Sequence, residues 1–400
     1  MAIVNSNEIY FLGGDIMYIQ QDVNYHPPNK VDSFLKSQYI GIDLHSNKFT
    51  CNFLRTDNKS MKESFLIHPI EFQHSFFPRL TEQDYVLIEA STNSFAFYDL
   101  IKDKVKEVII ANPMDLRIIY DSGKKTDKID AEKLSRILRY CVEGDDKILN
   151  RVYVPEKEIR ELRSLFTSYK LYKRQIASQK NRIHSILRQN LIVYSGDIFT
   201  NKIREEILSS DKLDEGYKKQ IEILYESVEY LEDKAEQIKE EILYIGRKYK
   251  EQIDILTSIK GISVFVALGL IADYGEVERF KNAKKFSSYL RAVPKVEASN
   301  EKVYIGKTNK RGRKLSISLL LQALHHTMKD NVYLRDFYLK KINGKSVCKV
   351  RMAVVRKLLV AIYYMLKNKE YYKYRNEENH QRKMREYERF IRKYEQKKTS

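Results

Sequence analysis

Four carboxylates in the first part of the chain have the types and the order that divalent-metal chemistry needs. Asp43 sits in YIGIDL, Glu89 closes YVLIE, and Asp127 and Asp130 lie in KKTDKIDAEKL. An aspartate among apolar strand residues is costly unless it is paired or coordinates a cation. Asp127 and Asp130 are three apart, so on a helix they share a face. Together the four offer the oxygen ligands of a two-Mg2+ site, whose ions lie roughly 3.5–4 Å apart in phosphoryl-transfer enzymes. Plainer readings exist for each. Asp127 serves equally as a helix N-cap with Asp130 beside the helix dipole. Glu89 can pair with a nearby lysine, and His45 reads as a bystander.

The elements that carry these residues weigh in favour of the metal. YIGIDLHSNKFTCNFL and KESFLIH have the alternation of a strand meander. YVLIEAS and EVIIANP are short apolar runs of the kind buried strands show. NSFAFYDLIKDK between them, and DAEKLSRILRYC after Pro113, have helical spacing. Residues 37–150 are therefore expected to form an α/β domain. GxD on a first strand, Glu ending a later strand and DxxD on a helix after the last follow the ribonuclease-H-like plan.

Around that domain the chain changes character. Residues 1–36 are polar and irregular, an expected N-terminal extension. Between 151 and 250, Leu162, Tyr169, Ile176 and Ile183 repeat every seven, and so do Ile221, Val228, Ala235, Ile242 and Tyr249. That period predicts coiled-coil helices, as a hairpin, a dimerising coil or a two-helix arm. Residues 251–366 are expected to be mainly α-helical. There LTSIKGISVFVALGLIADYG predicts two helices joined at Lys260-Gly261, a helix-hairpin-helix-like turn whose amides suit a phosphate. VYIGKTNKRGRKL is expected to be a basic loop, and the Tyr-rich tail 367–400 a solvated basic helix.

Composition narrows the partners. The net charge is +18, with 72 Lys and Arg, so a polyanion is expected. The 29 tyrosines, against no tryptophan, suit stacking on bases. Three scattered cysteines without a CxxC pair exclude a zinc knuckle and a disulfide framework. There is no signal-peptide pattern, and the apolar run 358–366 is too short to cross a bilayer. A soluble intracellular protein follows.

YIGIDLHSNKFT, VLIEAS, ANPMDLR and KKTDKIDAEKL resemble the RuvC-like domain of the DEDD transposases of bacterial insertion sequences. This group comprises bridge-RNA-guided recombinases and a related pilin-gene invertase. LTSIKGISVFVALGLIADYGEVERFKNAKKFSSYLRAVP and IGKTNKRGRKL resemble the family's C-terminal transposase domain. The resemblance covers about residues 39–366.

The resemblance implies a DNA transposase or site-specific recombinase that holds Mg2+ through Asp43, Glu89, Asp127 and Asp130. It further implies a serine nucleophile that joins DNA as a phosphoserine. The family places this serine in a Ser-Ser-Gly-Gly stretch after the LxxxP segment. Here the matching residues are Ala298, Ser299, Asn300 and Glu301, which leaves Ser299. Lys124, Lys125 and Lys128 would bring phosphate to the carboxylates. Lys260, Gly261, Lys302, Lys307, Lys310, Arg311 and Arg313 would contact nucleic acid. Double-stranded DNA, a guide RNA and a dimer or tetramer are the implied partners, in the bacterial cytoplasm with the nucleoid. Two alternatives stay open: a RuvC-like structure-specific endonuclease that uses metal-activated water, and a catalytically silent nucleic-acid scaffold.

Overall fold

Alternating β-branched and aromatic residues on either side of the turn His45–Lys48 pair two strands, and the rest of the first unit is built outward from them. The computed structural model describes residues 10–12, 15–17, 38–119, 126–144, 149–299, 302–308 and 312–399. The chain divides into two compact units, Met1–Val154 and Pro155–Ser400.

In the first unit, β1 (Tyr10–Leu12) and β2 (Asp15–Met17) form a short antiparallel pair within the segment expected to be irregular. A mixed five-stranded sheet follows from β3 (Gln38–Leu44), β4 (Lys48–Arg55), β5 (Ser60–Leu66), β6 (Tyr85–Glu89) and β7 (Glu107–Ala111), in the order β5-β4-β3-β6-β7. The first three are antiparallel, and β6 and β7 add in parallel to β3. The helices of this unit are the one-turn α1 (Pro69–Glu71), α2 (Ser94–Ile101) linking β6 to β7, α3 (Pro113–Ile119) and α4 (Asp127–Glu143).

Each sheet face has its own core. One is aromatic: the Phe49 ring lies edge-on to Phe76 and Phe97, both with centroids at 4.9 Å. The other packs Leu87 and Ile109 against Leu134 and Leu138 of α4. Gly41 sets how closely α4 can approach. A Cβ at Gly41 would stand 2.2 Å from the Ala131 carbonyl oxygen and 2.3 Å from the Ser135 nitrogen. Without a side chain there, the helix rests directly on β3, which is why the motif is GxD.

The second unit is almost wholly helical. It runs α5 (Lys157–Gln189), α6 (Asn201–Leu208), α7 (Glu215–Ile245), α8 (Lys250–Thr257), α9 (Val264–Tyr274) and α10 (Ala283–Tyr289). A hairpin follows, β8 (Pro294–Ser299) with β9 (Lys302–Thr308), and then α11 (Leu315–Asp330), α12 (Val332–Ile342), α13 (Val347–Asn368) and α14 (Glu377–Thr399). The two heptad rows close on each other within the chain: Ile176 of α5 packs with Val228 and Ala235 of α7. Farther along, Ile183 and Ile186 meet Ile221 and Tyr225, under Ile198 and Ile207 of the connection. At the other end, Leu162, Phe166, Ile242 and Ile245 share one core with Leu256, Ile259, Leu268 and Leu358. Residues on both sides of position 250 thus belong to one core.

Two expectations are corrected here. The segment 302–308 is not loop but a strand, antiparallel to 294–299, in which Lys302 pairs with Ser299. Val296, Val303 and Ile305 supply the β propensity that the basic residues obscured. The tail is not a free solvated helix either. α14 buries Tyr387, whose hydroxyl donates to the Leu243 carbonyl at 2.7 Å, and His380, whose Nε2 lies 2.9 Å from Asp254 Oδ1. No helix among the described residues is long and apolar enough to cross a membrane.

Candidate active site

Three elements converge at the C-terminal end of the parallel strands. β3 ends in Asp43-Leu44, the turn His45–Lys48 follows, and the first turn of α4 lies across them. Thr126 is the N-cap of α4: its hydroxyl accepts from the Ile129 amide at 3.3 Å. The cap is therefore not Asp127, and both acidic side chains of that first turn are left for other partners.

Asp43, His45 and Asp127 each place a ligand atom within 4.8 Å of the others. His45 Nε2 lies 3.3 Å from Asp43 Oδ2 and 3.5 Å from Asp127 Oδ1. Lys48 Nζ donates to Asp127 Oδ2 at 2.8 Å. The backbone of this turn is itself fixed. The His45 amide bonds to the Lys48 carbonyl at 3.0 Å, and Asn93 Nδ2 donates to the His45 carbonyl at 2.8 Å.

The two aspartates differ electrostatically. Burial raises the Asp43 carboxyl above the usual carboxylate range; His45 opposes this, while the charges of Asp127 and Asp130 add to it. Asp127 is more exposed, and the Lys48 ammonium holds it below that range. Asp130 is thus close enough to act on Asp43, although it lies outside the 4.8 Å group. Glu89 is also outside that group. It ends β6 beside β3, one position beyond the Ile42–Ile88 pair, so Asp43 and Glu89 occupy the same level of adjacent strands.

This donor set fits a hard divalent cation. It offers carboxylate oxygens and one imidazole, and the Lys48 ammonium balances part of the negative charge. Sequence reasoning missed both residues. His45 had a signal: it follows Asp43 by two, the spacing that returns to the same face as a strand continues. Lys48 had none, because its partner is long-range.

The remaining candidates are dispersed. Lys128 is exposed on the first turn of α4, while Lys124, Lys125, Lys310 and Arg311 lie outside the described residues. Lys260 and Gly261 form the turn between α8 and α9. Gly261 has φ +89°, and a Cβ there would meet Thr327 Oγ1 at 2.7 Å. Lys302 and Lys307 are on β9, and Ser299 ends β8. Arg313, expected to grip phosphate in a solvated loop, donates through Nε to the fully buried Asp273 at 3.1 Å.

A family model described as DEDD transposase of the IS110 type matches residues 40–192, which include all four candidate carboxylates. A second, described as Transposase IS116/IS110/IS902 family, matches residues 253–339, which include Ser299. The chain belongs to this family of transposases. Two curated relatives agree. The transposase for insertion sequence element IS1533 of Leptospira borgpetersenii is 20% identical over 265 residues, covering 62% of this chain and 72% of that one. The transposase for insertion sequence element IS1111A of Coxiella burnetii (strain RSA 493 / Nine Mile phase I) is 25% identical over 138 residues, 34% of this chain and 38% of that one. The transposase is thus a DNA-cleaving and rejoining enzyme. Its DEDD domain implies dependence on a divalent metal, for which Asp43, His45 and Asp127 form a candidate site.

Proposed function

We propose that the transposase exchanges DNA strands through a covalent phosphoserine on Ser299, with Mg2+ held by the DEDD carboxylates and target choice guided by a bridge RNA. The observation that supports the metal half is the closure of Asp43, His45 and Asp127 to within 4.8 Å, with the Asp130 charge acting on Asp43. Asp43, Glu89, Asp127 and Asp130 would hold the ions, as two Mg2+. When bound, they supply Lewis-acid polarisation of the scissile phosphodiester.

Ser299 Oγ attacks the phosphorus. The Oγ–P bond forms as the bond to the departing DNA oxygen breaks, the serine gives up its proton and the leaving oxygen takes one. Attack by an incoming DNA hydroxyl on the phosphoserine restores the diester and frees Ser299. The lysines around Asp127, with Lys260 and Gly261, bind DNA backbone without reading sequence. Selectivity then falls to base pairing with the RNA. The working assembly is a homo-oligomer on double-stranded element ends and target.

One observation favours a second reading, a RuvC-like endonuclease. His45 stands against both aspartates and is placed to take a proton from an attacking water. Incubation with element-end DNA and Mg2+, followed by denaturing electrophoresis, separates the two. The first reading expects a protein–DNA adduct that Ser299→Ala abolishes; cutting that persists in Ser299→Ala favours water. If Asp127→Ala and Asp130→Ala both leave strand exchange intact, neither reading survives. Sequencing of copurifying RNA tests the guide.

A further inference from the structure

We propose that a cationic cavity at the root of the β8–β9 hairpin binds a backbone phosphate of nucleic acid. The cavity, of about 260 Å3, is lined by Arg163, Lys170, Arg291, Arg313 and Lys314 around the single carboxylate of Asp273. Both roots of the hairpin that carries Ser299 pass through its wall, as Arg291 before β8 and Gly312 to Lys314 after β9. The site anchors the hairpin whose far end carries Ser299, which gives it a use in the reading above, but its charge and shape stand without that reading.

The cavity is built rather than incidental. Asp273 is fully buried; one oxygen accepts from Arg313 Nε at 3.1 Å and the other from the Ser316 amide at 2.7 Å, in the first turn of α11. Arg163 donates to the Ala272 carbonyl at 2.6 Å and the Asp273 carbonyl at 3.1 Å, closing the end of α9. Arg291 Nε donates to the Gly312 carbonyl at 2.6 Å, and the Arg313 amide to the Tyr289 carbonyl at 2.9 Å. Gly312 has φ +96°, and a Cβ there would stand 2.1 Å from the Tyr289 oxygen, so only glycine lets the loop close against α10.

Each of these guanidiniums is pinned through Nε, which fixes the direction of its other N–H groups before a ligand arrives. Preorganised donors of that kind suit a phosphate oxygen. The positive charge is also unbalanced. Burial lowers the proton affinity of Arg163 and Lys170, and the neighbouring Arg313 lowers both further. An anion in the cavity would relieve that repulsion. In a chain that cleaves and rejoins DNA, the anion available in quantity is the phosphodiester.

Salt-dependent binding of the full chain tests this. Fluorescence anisotropy would follow random-sequence duplex DNA and, in a second arm, single-stranded RNA of equal length. Among the described residues Lys170 and Lys314 make no side-chain hydrogen bond that the fold needs, so the double variant Lys170→Gln/Lys314→Gln should keep the parent melting temperature. We expect weaker binding and a plot of log K against log salt flatter by about 2, near 0.9 per lost duplex contact. A change confined to DNA, or to RNA, identifies which backbone the cavity holds. Ser299→Ala should leave the slope unaltered, so failure of the serine reading would not be mistaken for failure of this one. If neither arm changes, or if Lys218→Gln/Lys239→Gln on α7 flattens the slope equally, the cavity is not a phosphate site.

Discussion

Lys48 Nζ and Asp127 Oδ2 stand 2.8 Å apart, joining a hairpin end to a helix first turn across 79 positions of sequence. The ammonium compensates the charge of a carboxylate that would also hold a divalent ion, so lysine and metal would compete for it. Lys48→Met should tighten Mn2+ binding severalfold while leaving the melting temperature nearly unchanged, because an exposed pair contributes little to stability. Titration calorimetry on the metal-free protein would read this. Unchanged or weaker affinity would show that the lysine supports the site rather than guarding it.

Gly41 governs the distance between α4 and β3. A methyl group there must displace the Ala131 carbonyl, and overpacking of this kind costs about 1–3 kcal/mol. Gly41→Ala should lower stability by that amount in urea unfolding and also weaken metal binding, since Asp127 moves with the helix. A loss of stability with metal affinity intact would mean that the helix start does not position the ligands.

The Thr126 cap stabilises α4 by about 1 kcal/mol on the usual scale of N-cap substitutions. Thr126→Ala should lose that much, and Thr126→Ser should recover most of it. If Asp127 were the cap, Thr126→Ala would be silent. Parallel denaturation of the three proteins decides the matter.

Tyr225 offers a test in pH. It is buried between α7 and the connection from α5, and its hydroxyl donates to the Ile198 carbonyl at 2.8 Å. Burial raises its pKa to about 12 from the ordinary 10.0. A group raised on folding contributes stability that is complete below its unfolded value and is lost as pH climbs through the folded one. Tyr225→Phe should cost about 1 kcal/mol at neutral pH for the lost hydrogen bond. The gap between variant and parent should shrink as pH rises from 10.0 to about 12. A gap that stays constant across that range would show that the phenol ionises as readily folded as unfolded.

Much of the site's framework was legible because its signals are local. Two-residue alternation marks β3 and β4, apolar runs mark β6 and β7, and helical spacing after KKTDKIDAEKL marks α4. The heptad rows likewise predict α5 and α7, whose seams meet each other. What escaped depends on partners distant in sequence. The tail looked solvated because its buried side chains, Tyr387 and His380, are polar residues that find their acceptors on α7 and α8. Arg313 looked like one more basic loop residue until its carboxylate appeared forty positions earlier.

The sequence by itself singled out four carboxylates with the chemistry to bind metal and the elements that would carry them, because periodicity and carboxylate chemistry are properties of short stretches. Only the tertiary structure decided which of those residues meet. It brought His45 and Lys48 onto Asp43 and Asp127, freed Asp127 from the cap by giving that work to Thr126, and gathered five cations around Asp273. Those outcomes depend on a helix resting on a glycine and a loop closing on another, contacts between segments whose separation along the chain carries no local signal.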